Sequence, residues 1–206
     1  MGYANSKGIS LCGHGLSYQG NFEEHLRRVS DGRLAHEMLV RAAKTTETGL
    51  TAIDATAGMG EDSFLLAAYG YNVILHEQNL VVAALLKDAI RRGKKNPALR
   101  DIMNRMTVVE GDSVQILNDR IDTVDLVYLD PMFPGKVKSS LTNKKMQLIQ
   151  EMEMPCSEET ELFDAALSIS PAKIIVKRPL KAPYLAGRKP GYSLEGKAIR
   201  YDCYVQ

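Results

Sequence analysis

Short apolar runs alternate with amphipathic stretches along most of this chain. Residues 50–53 read as a buried strand that ends on Asp54 and a tight turn, Ala55-Thr56-Ala57-Gly58-Met59-Gly60. Residues 62–68 then open a helix, and Gly70 ends the turn that follows. A second strand covers 71–76 and finishes at Glu77-Gln78-Asn79. Over 81–92, Val82, Leu85, Leu86, Ala89 and Ile90 recur at helical spacing, closed by Gly93. Residues 106–109 predict a third strand ending in Glu110-Gly111-Asp112-Ser113, with a short helix over 114–117. A strongly apolar fourth strand, 124–129, ends in Asp130-Pro131-Met132-Phe133-Pro134. A basic loop and a helix come next. Ser157 then caps a further helix reaching Leu167, with acids in its first turn as the helix dipole favours. Residues 173–176 form a fifth strand ending at Lys177-Arg178-Pro179, and 192–194 pairs with 198–205 in a hairpin turning at Gly196.

Upstream, residues 1–20 are rich in Gly, Ser, Asn and Tyr, show no periodicity and are expected to form a flexible arm. From 22 to 44 the pattern is helical, with Leu34, Met38, Leu39 and Ala42 on one face and Ser30 or Asp31 as the N-cap. Strands alternating with helices specify an α/β fold: a Rossmann-like, doubly wound, mostly parallel sheet with a C-terminal antiparallel hairpin. The expected organisation is an arm over 1–20 and one domain over 21–206.

At 206 residues the chain suits one well-packed domain. A net charge of +1 identifies no partner by itself. Cys12, Cys156 and Cys203 have neither CxxC nor metal-site spacing and read as reduced thiols. No apolar run approaches the roughly 20 residues of a membrane span. The Met1-Gly2 start formally fits a myristoylation pattern, but a pattern that short arises by accident. The expected location is cytoplasmic. His14, His25, His36 and His76 are scattered, so no metal is invoked.

In such sheets ligands bind outside the carboxyl ends of the strands. Those ends carry Asp54, Glu77, Asp112, Asp130 and Lys177. One carboxylate at a strand end is commonly a turn former; four in succession suggest a shared site. Gly58 and Gly60 supply two glycines of a dinucleotide loop, but Ser63 holds the third position, and no GxxxxGK loop exists. Glu77 can accept hydrogen bonds from ribose hydroxyls. Asp54, Glu61 and Asp62 around the turn disfavour phosphates and suit a cofactor carrying a sulfonium and an ammonium.

The strings Asp54 to Gly60, Glu77, Gly111-Asp112-Ser113 and Asp130 to Pro134 together resemble a class I S-adenosylmethionine (SAM)-dependent methyltransferase. Residues 127–134, the Lys-rich loop after them and Val176-Lys177-Arg178-Pro179 resemble the small-subunit (16S) rRNA guanine-N2 methyltransferase J family, over about 32–205. The resemblance implies that Asp54 and the turn 58–60 cradle the methionine moiety of SAM, with Glu61 and Asp62 continuing that wall. It implies that Glu77 holds the ribose with Gln78 beside it, and that Asp112 and Ser113 line the adenine pocket.

The acceptor chemistry is expected at Asp130, Pro131 and Phe133. An exocyclic amine is a poor nucleophile because its lone pair is delocalised into the ring. Asp130, or the Pro131 carbonyl, accepting its N–H bonds would localise that pair, and Phe133 can stack on an extruded base. Lys136, Lys138, Lys144 and Lys145 lie in a stretch, 134–149, without an acid, and 177–200 carries seven basic residues against Glu195. These stretches suit a phosphate backbone, with Lys177 and Arg178 nearest the target base. The expected partner is ribosomal RNA or the 30S subunit. Three rivals remain: an amino-methyltransferase acting on another nucleic acid or a small molecule, a non-catalytic RNA-binding module, and a nicotinamide enzyme.

Overall fold

The computed structural model describes residues 2–5, 8–13, 16–30, 32–120, 122–131 and 159–205. Strands β4 (Thr51–Asp54), β5 (Asn72–Glu77), β6 (Met106–Glu110), β7 (Leu126–Leu129), β8 (Lys173–Pro179), β9 (Tyr192–Glu195) and β10 (Ile199–Val205) make a sheet in the order β6-β5-β4-β7-β8-β10-β9. The first five are mutually parallel, while β10 runs antiparallel to both β8 and β9. Chain order proceeds outward from β4 to β5 and β6, then returns to β7 on the other side. The crevice between β4 and β7 is therefore the topological switch point, where such sheets bind ligands.

The central strands are apolar throughout because both sheet faces are covered. Ala52, Leu126, Tyr128 and Ile175 point into one core with Phe64, Leu66 and Leu86. Their neighbours Ile53, Val127, Leu129, Ile174 and Val176 point into the other with Leu117, Leu162 and Phe163. The first face is covered by α3 (Glu61–Tyr69), α4 (Leu80–Gly93) and α5 (Arg100–Asn104), the second by α6 (Ser113–Asn118) and α7 (Glu159–Ser168). The helix α5 has no counterpart in the sequence reading.

The segment 22–44 departs from a single helix. It forms a 3-10 turn at Phe22–His25, α1 (Leu26–Val29), a second 3-10 turn at Leu34–His36 and α2 (Met38–Ala42). Ser30 is extended and Gly32 has a φ of +73°, which interrupts the helix. Asn21, not Ser30, caps the first turn, and Asp31 lies outside the described residues. A straight helix of this length would run about 35 Å. The broken path instead lets Leu26, Val29, Leu34 and Met38 all pack on the first core, and a two-bond Arg28–Glu37 pair at 2.9 and 3.0 Å closes the break.

Residues 1–20, expected as an aperiodic arm, hold a three-stranded antiparallel sheet: β1 (Gly2–Asn5), β2 (Gly8–Gly13) and β3 (Leu16–Tyr18). It docks on α4. Leu11 is buried on Leu85, with Ile9, Tyr18 and Met59 around them. Asp88 accepts hydrogen bonds from the Ile9 amide at 3.0 Å, from Arg91 at 2.6 Å and from Arg92 at 2.8 Å. Arg92 also donates to the Gly20 carbonyl. Burial pushes the Asp88 carboxyl up, but the Arg92, Ile9 and Arg91 hydrogen bonds outweigh it and leave it below its ordinary value. Asp88→Ala strands the Ile9 amide and is expected to lower the unfolding free energy by about 2 kcal/mol in urea titrations. A depressed carboxyl stabilises the fold above its unfolded value, so that advantage over the variant disappears as pH falls through the folded value. An unchanged midpoint at neutral pH would show that the small sheet is held by other contacts. Among the described residues, no helix is long and apolar enough to cross a membrane.

Candidate functional site

The turn after β4 is laced to both neighbouring strands. The Ala55 amide donates to the Tyr128 carbonyl at 3.1 Å and the Ala57 amide to the His76 carbonyl at 3.2 Å. Gly58 and Gly60 have φ of +51° and +75°, the left-handed region that side chains resist. A Cβ on Gly60 would also stand 2.9 Å from Leu86 Cδ1. The chain thus enters α3 through two left-handed glycines, with Gly60 against the core.

Asp54 is 1% exposed, and its carboxylate accepts from the Thr56 amide at 3.1 Å and the Ser63 hydroxyl at 2.5 Å. Burial pushes it up to about 7, against those two hydrogen bonds. Asp54 therefore fastens the turn to the first turn of α3. Asp54, expected to cradle the methionine moiety, has one carboxylate oxygen on Thr56 and the other on Ser63. Ser63, which occupies the third glycine position, is the partner that makes this possible.

Glu77 is the second fastening. Oε2 accepts from the Gly58 amide at 3.0 Å and Oε1 from the Asn79 amide at 2.7 Å. Burial raises its carboxyl, and the backbone amides oppose that. The Gln78 amide also bonds this carboxylate, so three of its roughly four acceptor sites serve the backbone and about one remains for a ribose hydroxyl. Asn79 caps α4 through the Val81 and Val82 amides. Leu80, 66% exposed, and Val81, 39% exposed, form an apolar shelf beside Glu77. The sequence reading missed this shelf; its signal is two apolar residues in the first turn of a helix that follows an acidic strand end. Gln78 is exposed next to it. Asp112 is exposed and caps α6 through the Val114 amide at 2.9 Å, while the Ser113 hydroxyl donates to the Ala55 carbonyl at 2.5 Å. The ends of β4, β5 and β6 thus form one hydrogen-bonded rim, joined also by the Gly111 amide on the Glu77 carbonyl. An open backbone turn, an acceptor carboxylate and an apolar shelf fit an adenosine-bearing cofactor.

On the other side of the switch point, the Asp130 amide donates to Thr56 Oγ1 at 2.7 Å. Asp130 is thereby held on the glycine turn itself, 74 residues away in sequence. Pro131 is buried behind it. Lys177 Nζ lies 2.8 Å from Asp130 Oδ2 and 2.8 Å from Asp62 Oδ2, and the Tyr128 hydroxyl donates to Asp62 at 2.6 Å. Asp62, expected in the cofactor wall, thus bonds Tyr128 and Lys177 beside Asp130. Glu61 is exposed at the start of α3, 3.8 Å from His25 Nε2.

Lys177 and Arg178, expected to meet a phosphate, are engaged within the protein. Lys177 is committed to two carboxylates. Arg178 is 1% exposed, with Nη1 on Glu159 at 2.7 Å and Nε on the Pro183 carbonyl at 3.2 Å. Arg178 is therefore turned away from solvent, while Lys177 is a quarter exposed with its ammonium held between the two carboxylates. Phe133, Lys136, Lys138, Lys144 and Lys145 lie outside the described residues. Arg27 and Arg33 instead line an open cavity of about 420 Å³ with Glu24, Arg28, His36 and Glu37. Among the described residues, no group of His, Cys, Asp or Glu could hold a metal ion.

The family described as "Putative SAM-dependent methyltransferase" matches residues 18–206. Ribosomal RNA small subunit methyltransferase J of Dechloromonas aromatica is 43% identical over 153 residues, which are 74% of this chain and 62% of the relative. The protein of that name from Marinobacter nauticus is 40% identical over 180 residues, 86% of this chain and 65% of the relative. The chain therefore spans less than two thirds of the length of these curated relatives. The crystal structure of a SAM-dependent methyltransferase from Neisseria gonorrhoeae is 30% identical and superposes with a TM-score of 0.76, covering 97% of this chain and 79% of that one.

Proposed function

We propose, since this chain belongs to the SAM-dependent methyltransferase family, that it methylates the exocyclic N2 of a guanine in small-subunit ribosomal RNA. Its sheet, with the antiparallel strand pair at one edge, is the class I methyltransferase fold. The observation that carries the reaction type is the hydrogen bond from the Asp130 amide to Thr56. It fixes a strand-end carboxylate against the turn that would hold the methyl donor. The RNA substrate is supported by the names of the relatives, and Arg27 and Arg33 offer cations for its backbone.

SAM supplies, when bound, an electrophilic methyl group on a sulfonium. Glu77 and the 58–60 turn hold the cofactor, with Leu80 and Val81 available to the adenine face. Asp112 and Ser113 form the far wall. Asp130 accepts an N–H from the guanine amine and so concentrates the lone pair on nitrogen. A C–N bond forms as the C–S bond breaks, and the amine proton leaves to Asp130 or to water. Catalysis of this kind is mainly positioning and charge placement.

A radiolabelled-methyl assay comparing 30S particles from an unmodified strain, naked 16S rRNA and duplex DNA tests the proposal. Label is expected in RNA, with N2-methylguanosine as the modified nucleoside by mass spectrometry. Cofactor binding without transfer to either RNA substrate would reject it.

A further inference from the structure

The basic residue at the end of β8 has an arrangement that a phosphate contact does not explain. Lys177 Nζ bridges Asp62 of α3 and Asp130 after β7, each at 2.8 Å. The Tyr128 hydroxyl holds Asp62 from below at 2.6 Å. Of the two carboxylates, Asp130 is the more open, with 37% of its side chain exposed against 16% for Asp62. The network is thus more enclosed at Asp62 and more open at Asp130. Moving the ammonium out to an RNA phosphate would leave two neighbouring carboxylates uncompensated.

We propose that Lys177 is a positioning residue for methyl transfer, tying Asp130 to α3 so that its carboxylate is held aimed across the glycine turn at the acceptor amine. This rests on the reaction proposed above and deepens it. Lys177 touches no reacting atom. Its ammonium spends two of three N–H donors on the carboxylates. A single Oδ2 contact leaves the other Asp130 oxygen to accept from the amine.

The charges facing Asp130 come from five elements. Asp54 lies on β4, Asp62 on α3, Tyr128 on β7, Lys177 and Arg178 on β8, and Tyr201 on β10. Burial leaves the Asp130 carboxyl above its ordinary value and Asp62 adds to that, while Lys177, by charge and hydrogen bond, and Arg178 oppose it. Tyr128 and Tyr201 are both raised, chiefly by burial, and stay neutral. Lys177 is itself raised: the two aspartates more than offset its burial, so it remains charged. Removing Lys177 deletes the main downward pull, and Asp130 then takes up a proton at higher pH.

The test compares Lys177→Met with Lys177→Arg, which keeps the charge. Lys177→Gln replaces the methionine variant should that one fail to fold. Lys177→Met is expected to lower kcat at least about 30-fold and to move the acid limb of its pH profile up by about one unit or more. Its KM for RNA and its affinity for S-adenosylhomocysteine should stay within about twofold, and Lys177→Arg should recover most of the rate. A raised RNA KM with unchanged kcat and pH profile would return Lys177 to phosphate binding. The same shift is read without substrate by carboxyl-carbon NMR titration of Asp130, assigned with Asp130→Asn. An unmoved titration overturns the proposal whatever the substrate. A moved titration in a protein that methylates no RNA would reject the RNA reaction and leave the hold of Lys177 on Asp130 standing.

Discussion

Asp130→Ala is expected to lower the single-turnover methylation rate by about a hundred- to a thousandfold, the usual effect of deleting one preorganised polar group at a reacting centre. The affinity for S-adenosylhomocysteine should change by less than about twofold. The contrast follows from the geometry. The backbone amide of residue 130, not its side chain, contacts Thr56 of the glycine turn, so the substitution leaves the turn intact. Lys177 loses one carboxylate but keeps Asp62 at 2.8 Å, which limits the structural cost. What disappears is the acceptor for the amine N–H. Asp130→Asn keeps the shape and loses the charge, so it should be nearly as slow. Single-turnover kinetics with calorimetry on the same preparations measures both quantities. A variant with near wild-type rate would move the acceptor role to the Pro131 carbonyl or to another residue.

Glu77→Ala should have the opposite profile, weakening S-adenosylhomocysteine binding by about ten- to a hundredfold through hydrogen bonds to a charged acceptor worth about 1.5–3 kcal/mol. It also removes the acceptor of both the Gly58 and the Asn79 amides, which lowers thermal stability and loosens the turn. Glu77→Gln separates the two roles. The amide has one acceptor oxygen, so it can satisfy only one of those backbone donors while presenting an NH2 to the other. Calorimetric titration and thermal unfolding on both variants decide the matter. Full affinity in a folded Glu77→Ala protein would remove Glu77 from the cofactor site and leave it a purely structural clasp.

These two residues also mark the limit of what linear reading achieves. Strand ends at Asp54, Glu77, Asp112 and Asp130 are legible because parallel strands buried on both faces read as short apolar runs, and glycine or an acid stops each run. The crevice location follows from strand alternation alone. The direction of a side chain at a strand end does not. Asp54 and Glu77 occupy equivalent places in the pattern, yet Asp54 is turned beneath its loop by Ser63 and Thr56 while Glu77 keeps acceptor capacity at the rim. The N-terminal sheet was illegible for a related reason. Its strands are three to six residues long, and what holds them is Asp88 and Leu85 on a helix about 80 residues downstream. The helical pattern over 22–44 was real as a set of apolar positions. Its division into four pieces depended on Ser30, Gly32 and the curvature of the core they wrap.

By itself the amino-acid order determined the α/β alternation, the glycine turn after β4 and the acids at the carboxyl ends of the strands, because backbone propensity and burial periodicity act over a few neighbouring residues. Only the tertiary structure decided which charges meet. Asp62, Asp130 and Lys177 lie up to 115 residues apart, and nothing local to Lys177 distinguishes a phosphate-binding cation from one bound between two carboxylates. That choice is made by the packing of β7 and β8 beside the start of α3, which brings the ammonium into reach of both aspartates.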